Sequence, residues 1–132
     1  MNSPLLAVDA VIFLEDGSVV LVRRGNPPFQ GWWALPGGGC EVGETVEQAL
    51  QREVEEETGL IVEPVQLIGI FSEPDRDPRG HVVSIAFIAK PTGGQLRAGS
   101  DAANVQAFLQ VPQKLAFDHK RILSAAREVR DK

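Results

Sequence analysis

The sequence predicts an α/β fold, a mixed β-sheet sandwiched between α-helices. Three observations point there. Apolar runs of strand length dominate the 132 residues. Apolar residues at helical spacing occur in two stretches, 46–58 and 117–132. Strands dominate and two helices must cover them, which gives that sandwich. With 43% hydrophobic and 23% charged residues the composition is globular, and the length suits one domain, 1–132, with a real core.

The elements follow in order. LLAVDAVIFL (5–14) reads as a mostly buried strand, EDGS as a turn, and VVLVR (19–23) as a second strand. GNPPFQG is a loop with two prolines, and the short apolar piece WWALP ends in Gly37, Gly38 and Gly39, which let the backbone turn tightly and approach a ligand. Thr45-x-x-Gln48 is a capping box that opens a helix over 46–58, with Gly59 at the stop position. VEPVQLIGIFS (62–72), the polar turn EPDRDPRG and HVVSIAFIAK (81–90) make a hairpin. PTGGQLRAGSDAA is a loop and NVQAFLQV (104–111) a strand. In the last helix Asp118 is the expected N-cap, and Ile122, Leu123, Ala126 and Val129 share a face.

Charge and composition exclude several functions. A net charge of −5 argues against a nucleic-acid or anionic-membrane surface while permitting a small phosphorylated ligand. The lone Cys40 cannot form an internal disulfide and fits a reducing cytosol. The start, MNSPLLAVDAVIFL, lacks basic residues and is interrupted by Asp9, so it is a strand rather than a signal peptide. No apolar run reaches a membrane span. The expectation is a cytoplasmic protein.

GGGCEVGETVEQALQREVEEETGL (37–60) places Glu53, Glu55, Glu56 and Glu57 at a helix C-terminus, where the dipole repels them. On a wheel of about 100° per residue, Val46, Ala49, Leu50 and Val54 gather on one side. Glu53 and Glu57 fall in that inward sector, Glu56 lies at its edge, and Glu55 points away. A solvated acidic face is the common explanation of a glutamate run. It does not suit carboxylates on a buried side, and Arg52, one turn before Glu56, balances one charge only. A hard divalent cation with oxygen ligands, Mg²⁺ or Mn²⁺, satisfies the rest.

Gly38, five residues, Glu44, seven residues, then Arg52-Glu53-Val54-x-Glu56-Glu57-x-Gly59-Leu60 resembles the Nudix box at every fixed position. The resemblance implies a Nudix fold and Mg²⁺-dependent cleavage of a nucleoside diphosphate linked to another moiety. It implies that Glu53 and Glu57 ligate metal, with Glu56 a ligand or the holder of the attacking water, and that the Gly37 carbonyl is a further ligand. Arg52 would orient the glutamates and Glu44 would pair with Arg52. Metal ions in such a site offset the pyrophosphate charge and acidify a water.

PPFQGWWALPGG, FSEPDRDPRGHVVSIAF with Pro74, and LAFDHKRIL resemble small bacterial and archaeal ADP-ribose pyrophosphatases. Within that resemblance Arg23, Arg24, Arg76 and Arg79 are candidates for phosphate or ribose contacts, because a guanidinium grips oxyanions in a fork. Phe29, Trp32 and Trp33 are candidates for stacking adenine, and His81 for a polar contact. A plain charged turn is the competing explanation of DRDPRG, as hinge packing is of the aromatics. Relatives often carry a basic residue where Gln30 and Trp32 stand, and a glutamate where Asn104 falls. Asp101 or Glu73 would replace that glutamate, or the box itself would suffice.

The leading expectation is ADP-ribose hydrolysis to AMP and ribose 5-phosphate. The alternatives are an oxidised-dGTP-type pyrophosphohydrolase and a nucleotide sensor of the kind joined to a winged helix, for which the 132 residues leave no room. The substrate is a small nucleotide, and relatives are often homodimers, which the apolar first strand would suit.

Overall fold

The computed structural model describes residues 3–99 and 102–132. Its elements are β1 (Leu5–Ile12), β2 (Val19–Arg24), β3 (Trp33–Ala34), β4 (Gly37–Gly39), α1 (Val46–Thr58), β5 (Leu60–Phe71), β6 (Val82–Gly94), β7 (Ala102–Phe108) and α2 (His119–Arg130). The strands form a four-stranded sheet in the order β4-β1-β6-β5 and a three-stranded sheet in the order β3-β2-β7. The β1–β6 pair is parallel and its neighbours are antiparallel, so the larger sheet is mixed.

Alternation along β1 makes the sandwich. Val8, Ala10 and Ile12 pack with Ala49, Leu50 and Val54 of α1. Val11, one residue out of phase, packs with Ile122, Leu123 and Ala126 of α2. The same split recurs in β6, where Phe87 and Ala89 join the α1 cluster while Ala86 and Ile88 join that of α2. A period of two sends successive side chains to opposite faces, so an unbroken apolar run feeds both layers.

The helix expected over 46–58 has those bounds. Thr45 Oγ1 accepts from the Gln48 amide at 3.1 Å and Gln48 Oε1 accepts from the Thr45 amide at 3.0 Å, a capping box worth about 1 kcal/mol. Gly59 ends it in the left-handed conformation, φ 77°. The hairpin is present, with β6 running four residues past the expected end at Lys90.

Two expectations are corrected. Gly37–Gly39 form no turn: they are a strand laid antiparallel on β1, in register Asp9 with Gly37 and Ala7 with Gly39. Asp118 stands at the N-cap position of α2 but makes no side-chain cap bond, because its carboxylate is gripped by Arg76. Asp101 lies outside the described residues. Among the described residues, no helix is long and apolar enough to cross a membrane.

Candidate active site

The C-terminal turn of α1 has no basic residue to oppose its carbonyl dipole. The segment after β6 supplies backbone donors instead: the Arg97 amide donates to Thr58 O at 2.7 Å and the Gly99 amide to Glu57 O at 3.1 Å. These bonds satisfy orphan carbonyls and leave the glutamate side chains to another task.

β4 brings backbone against those side chains. Ala10 N donates to Pro36 O and Cys40 N to Leu6 O, so the alternate residues Gly37 and Gly39 turn their backbone groups away from β1. Gly37 N donates to Glu57 Oε1 at 3.1 Å, and Gly39 O accepts from Arg52 Nη2 at 3.0 Å. The Gly37 carbonyl faces the same side as its amide. A Cβ on Gly38 would stand 2.5 Å from Glu53 Oε2 and would push that carboxylate out of its present place.

Arg52 does more than balance Glu56. Its Nε and Nη2 donate to Glu44 at 2.7 and 2.9 Å, Nη1 donates to Glu53 at 2.9 Å, and Glu56 is 3.5 Å away. The fork holds the Glu44 carboxyl down at about 2 and keeps Arg52 charged. Glu53 and Glu57 face the sheet as the wheel requires, and Glu56 is exposed. Burial raises Glu53, and burial together with the neighbouring Glu53 and Asp9 charges pushes Glu57 up to about 9.

These acids line a cavity of about 580 Å³. Of the predicted contacts, Arg23, Arg24, Arg76 and Arg79 also line it. Arg24 is tied at Nε to Pro28 O (2.6 Å) and Arg23 at Nε to Gly31 O (3.2 Å); among the described residues neither pairs with a carboxylate. Arg79 is forked to Asp77 at 3.1 and 2.8 Å. Arg76 donates to both oxygens of Asp118 at 2.9 and 2.7 Å, with its side chain 5% exposed.

Phe29, Trp32, Trp33, His81, Pro74 and Glu73 are not part of the cavity wall. Phe29 packs edge-on against Trp32, Trp33 against Phe108, and His81 Nε2 meets Ser72 O across the hairpin ends. Asn104 pairs with Arg23 in the β2–β7 register, and its Oδ1 accepts from the Val105 amide.

Three cavity residues escaped the sequence reading. Asp9 is buried in β1, accepts from Ser84 Oγ at 2.5 Å, and lies 3.4 Å from His119 Nε2. His119 Nδ1 accepts the Leu35 amide at 3.0 Å, which puts the neutral ring's proton on Nε2, facing Asp9. The signal for Asp9 was present as the acid interrupting an apolar strand. Phe117, in the turn before α2, and His119, its first residue, lie in the stretch LAFDHKRIL, which carried the family resemblance without showing what either residue would do.

A family model described as the NUDIX domain matches residues 3–129. The chain belongs to the Nudix family. An ADP-ribose pyrophosphatase of Methanocaldococcus jannaschii is 53% identical over 121 residues, 91% of this Nudix chain and 71% of that protein. An 8-oxo-dGDP phosphatase of Mus musculus is 39% identical over 94 residues, 70% of this chain but 27% of that protein. Among solved structures, the NUDIX domain of Shewanella oneidensis NrtR complexed with ADP-ribose superposes with a TM-score of 0.83 at 32% identity, covering 98% of this chain and 90% of that one.

Family membership brings a divalent metal into question, and the donor set fits one. Two desolvated carboxylates and a carbonyl on one side are hard oxygen donors that want either protons or a cation. Among the described residues, no three acidic, His or Cys side chains converge on one point.

The raised Glu57 has a consequence for stability. Its folded pKa of about 9 lies above the ordinary 4.5, so the folded state holds the extra proton between those values and stability falls as pH rises through them. His119 is lowered by burial from 6.5, and its opposite contribution ends near that pH. Metal-free protein is therefore expected to lose thermal stability from pH 7 to 9, and Glu57→Gln to flatten the decline. A melting series across that range checks it. A slope unchanged by the substitution would count against the buried acid.

Proposed function

We propose that this Nudix hydrolase cleaves the pyrophosphate bond of ADP-ribose, giving AMP and ribose 5-phosphate, with Mg²⁺ or Mn²⁺ as cofactor. The observation that carries the reading is one cavity holding a desolvated carboxylate pair together with Arg23 and Arg24, which pair with no carboxylate among the described residues. The likeness to the archaeal ADP-ribose pyrophosphatase and to the ADP-ribose complex supports the substrate.

Glu53, Glu57 and the Gly37 carbonyl would hold the metal, with Glu56 joining them or taking the proton of the attacking water. Once bound, the metal offsets the negative charge of the diphosphate and makes that water more acidic. The remaining work belongs to the chain. Arg52, fixed by Glu44 and Gly39 O, aims Glu53 into the cavity. Arg23, Arg24 and Arg79 bind the diphosphate oxygens in fixed orientation. Arg76, already forked to Asp118, shapes the wall. The water oxygen bonds to one phosphorus as the bond from that phosphorus to the bridging oxygen breaks; the bridging oxygen leaves with the electron pair on the other phosphate, and Glu56 would take the water's proton.

Phe29 and His81, outside the wall, would reach the substrate only by way of neighbours or a closing loop. A homodimer and a cytoplasmic setting belong to the same reading. Leu5 and Leu6 at the start of β1, 70% and 41% exposed, are apolar surface for such an interface.

The mouse relative favours a second reading, hydrolysis of oxidised guanine nucleotides. Purified protein with Mg²⁺ is tested on ADP-ribose, 8-oxo-dGTP, 8-oxo-dGDP, dinucleoside polyphosphates and NADH. ADP-ribose is expected to show the highest kcat/KM, by about tenfold or more, the scale one well-placed contact confers. If an oxidised guanine nucleotide led instead, the second reading would replace the first. Binding of ADP-ribose without turnover of any compound would favour a sensor.

A further inference from the structure

Two non-glycine residues of the described chain have left-handed backbone, Phe29 (φ 59°) and Phe117 (φ 55°). An aromatic residue rarely adopts that conformation, and it persists where the surroundings over-determine it, commonly at functional sites. The two rings meet edge to face with centroids 4.9 Å apart, and Phe29 is backed in turn by Trp32 at 5.3 Å. Phe117 thus stands at the cavity with two aromatic residues behind it.

Its ring carries two cations. The Arg24 guanidinium carbon lies 4.9 Å from the ring centroid and that of Arg79 lies 5.6 Å from it. Both are within cation–π range. Each arginine is also tied at a backbone or acidic anchor, Arg24 to Pro28 O and Arg79 to Asp77. Left to themselves, two like charges would separate. Burial and the Arg79 charge disfavour the Arg24 cation, with Glu57 and Asp77 opposing them, and the Phe117 ring face is a further favourable surface against both guanidiniums.

We propose that Phe117 is a positioning residue: its ring holds the Arg24 and Arg79 guanidiniums together at the cavity so that both meet the same diphosphate. This rests on the diphosphate reading of the site and says what aligns its cationic side. Phe29 acts one step further out, by holding the Phe117 ring in place. Neither aromatic needs to stack on a base for this role.

Inorganic pyrophosphate is the probe, because it has the diphosphate and no base. Calorimetric titration in Mg²⁺ compares the unaltered chain with Phe117→Leu, which has no π face, and Phe117→Tyr, which keeps it. Phe117→Met, flexible and of similar bulk, serves if the leucine variant fails to fold. The leucine or methionine variant is expected to bind pyrophosphate about tenfold more weakly and the tyrosine variant within about twofold of the parent. In turnover the weakening should fall on KM, with kcat within about threefold.

Equal pyrophosphate affinity in the leucine or methionine variant and the parent would overturn the proposal. So would loss of AMP binding with pyrophosphate binding intact, which would make the ring a base platform. Absence of pyrophosphate binding by the parent would also overturn it. Failure to cleave ADP-ribose would remove the substrate reading alone, since the pyrophosphate comparison stands without it.

Discussion

Glu53→Gln is expected to lower kcat for ADP-ribose hydrolysis by about 10³-fold, within the 10²- to 10⁴-fold range for a directly acting acid–base or electrostatic group. Glutamine keeps the shape and the bond from Arg52 while removing the negative charge next to Glu57. That charge is one of the causes raising Glu57, so the variant should melt no lower than the parent in metal-free buffer. The combination is diagnostic: a rate collapse without destabilisation places the side chain in the chemistry. ADP-ribose binding, followed by calorimetry, should survive because the arginines are untouched. A variant retaining more than about a tenth of the parent kcat would dismiss Glu53 from the site.

Arg76→Ala is expected to have the largest effect on stability. The Arg76 side chain is 5% exposed and that of Asp118 19%, and the two share a bidentate pair at 2.9 and 2.7 Å. The same guanidinium lies 3.9 Å from the buried Asp9 and donates to Val82 O at 3.4 Å. Removing it leaves the Asp118 carboxylate without its fork and takes a cation from beside the buried Asp9, which keeps Ser84 and His119 as partners. Breaking a buried pair from one side costs about 3–5 kcal/mol, and an allowance for the partial exposure of Asp118 puts the expectation at about 3 kcal/mol. Denaturant unfolding should show this as a lower midpoint at constant slope. Arg76→Lys, a point charge without the fork, should recover a minor part of it. A loss under about 1 kcal/mol would show that water already reaches these carboxylates and that Arg76 is free to serve the ligand instead.

The two substitutions separate what was legible from what was not. Glu53 and Glu57 could be placed from sequence because a helix repeats every 3.6 residues, so the identity of Leu50 and Val54 fixes where the acids point. The capping box and Gly59 were readable for a similar reason, since each is satisfied by bonds within a few residues. Arg76 was equally visible as a residue and not as a partner. Asp118 lies 42 positions away, and nothing in either neighbourhood says that a hairpin turn and the start of α2 will meet. The glycines were half legible: their small size was informative, but a strand and a turn both use glycine, and the choice depended on β1 lying alongside.

By itself the sequence determined the local matters: the acidic face of α1, its caps, the apolar run that makes β1 a mostly buried strand, and the motif that marks the family. Tertiary structure alone decided that Arg76 forks Asp118, that Asp9 meets His119, and that Phe117 underlies two arginines. The physical reason is the range of the interactions. Backbone periodicity and capping act over one or two turns and are written in spacing. Ion pairs, ring contacts and burial depend on which distant segments pack together, and they appear only when the two sheets and two helices have closed around the cavity.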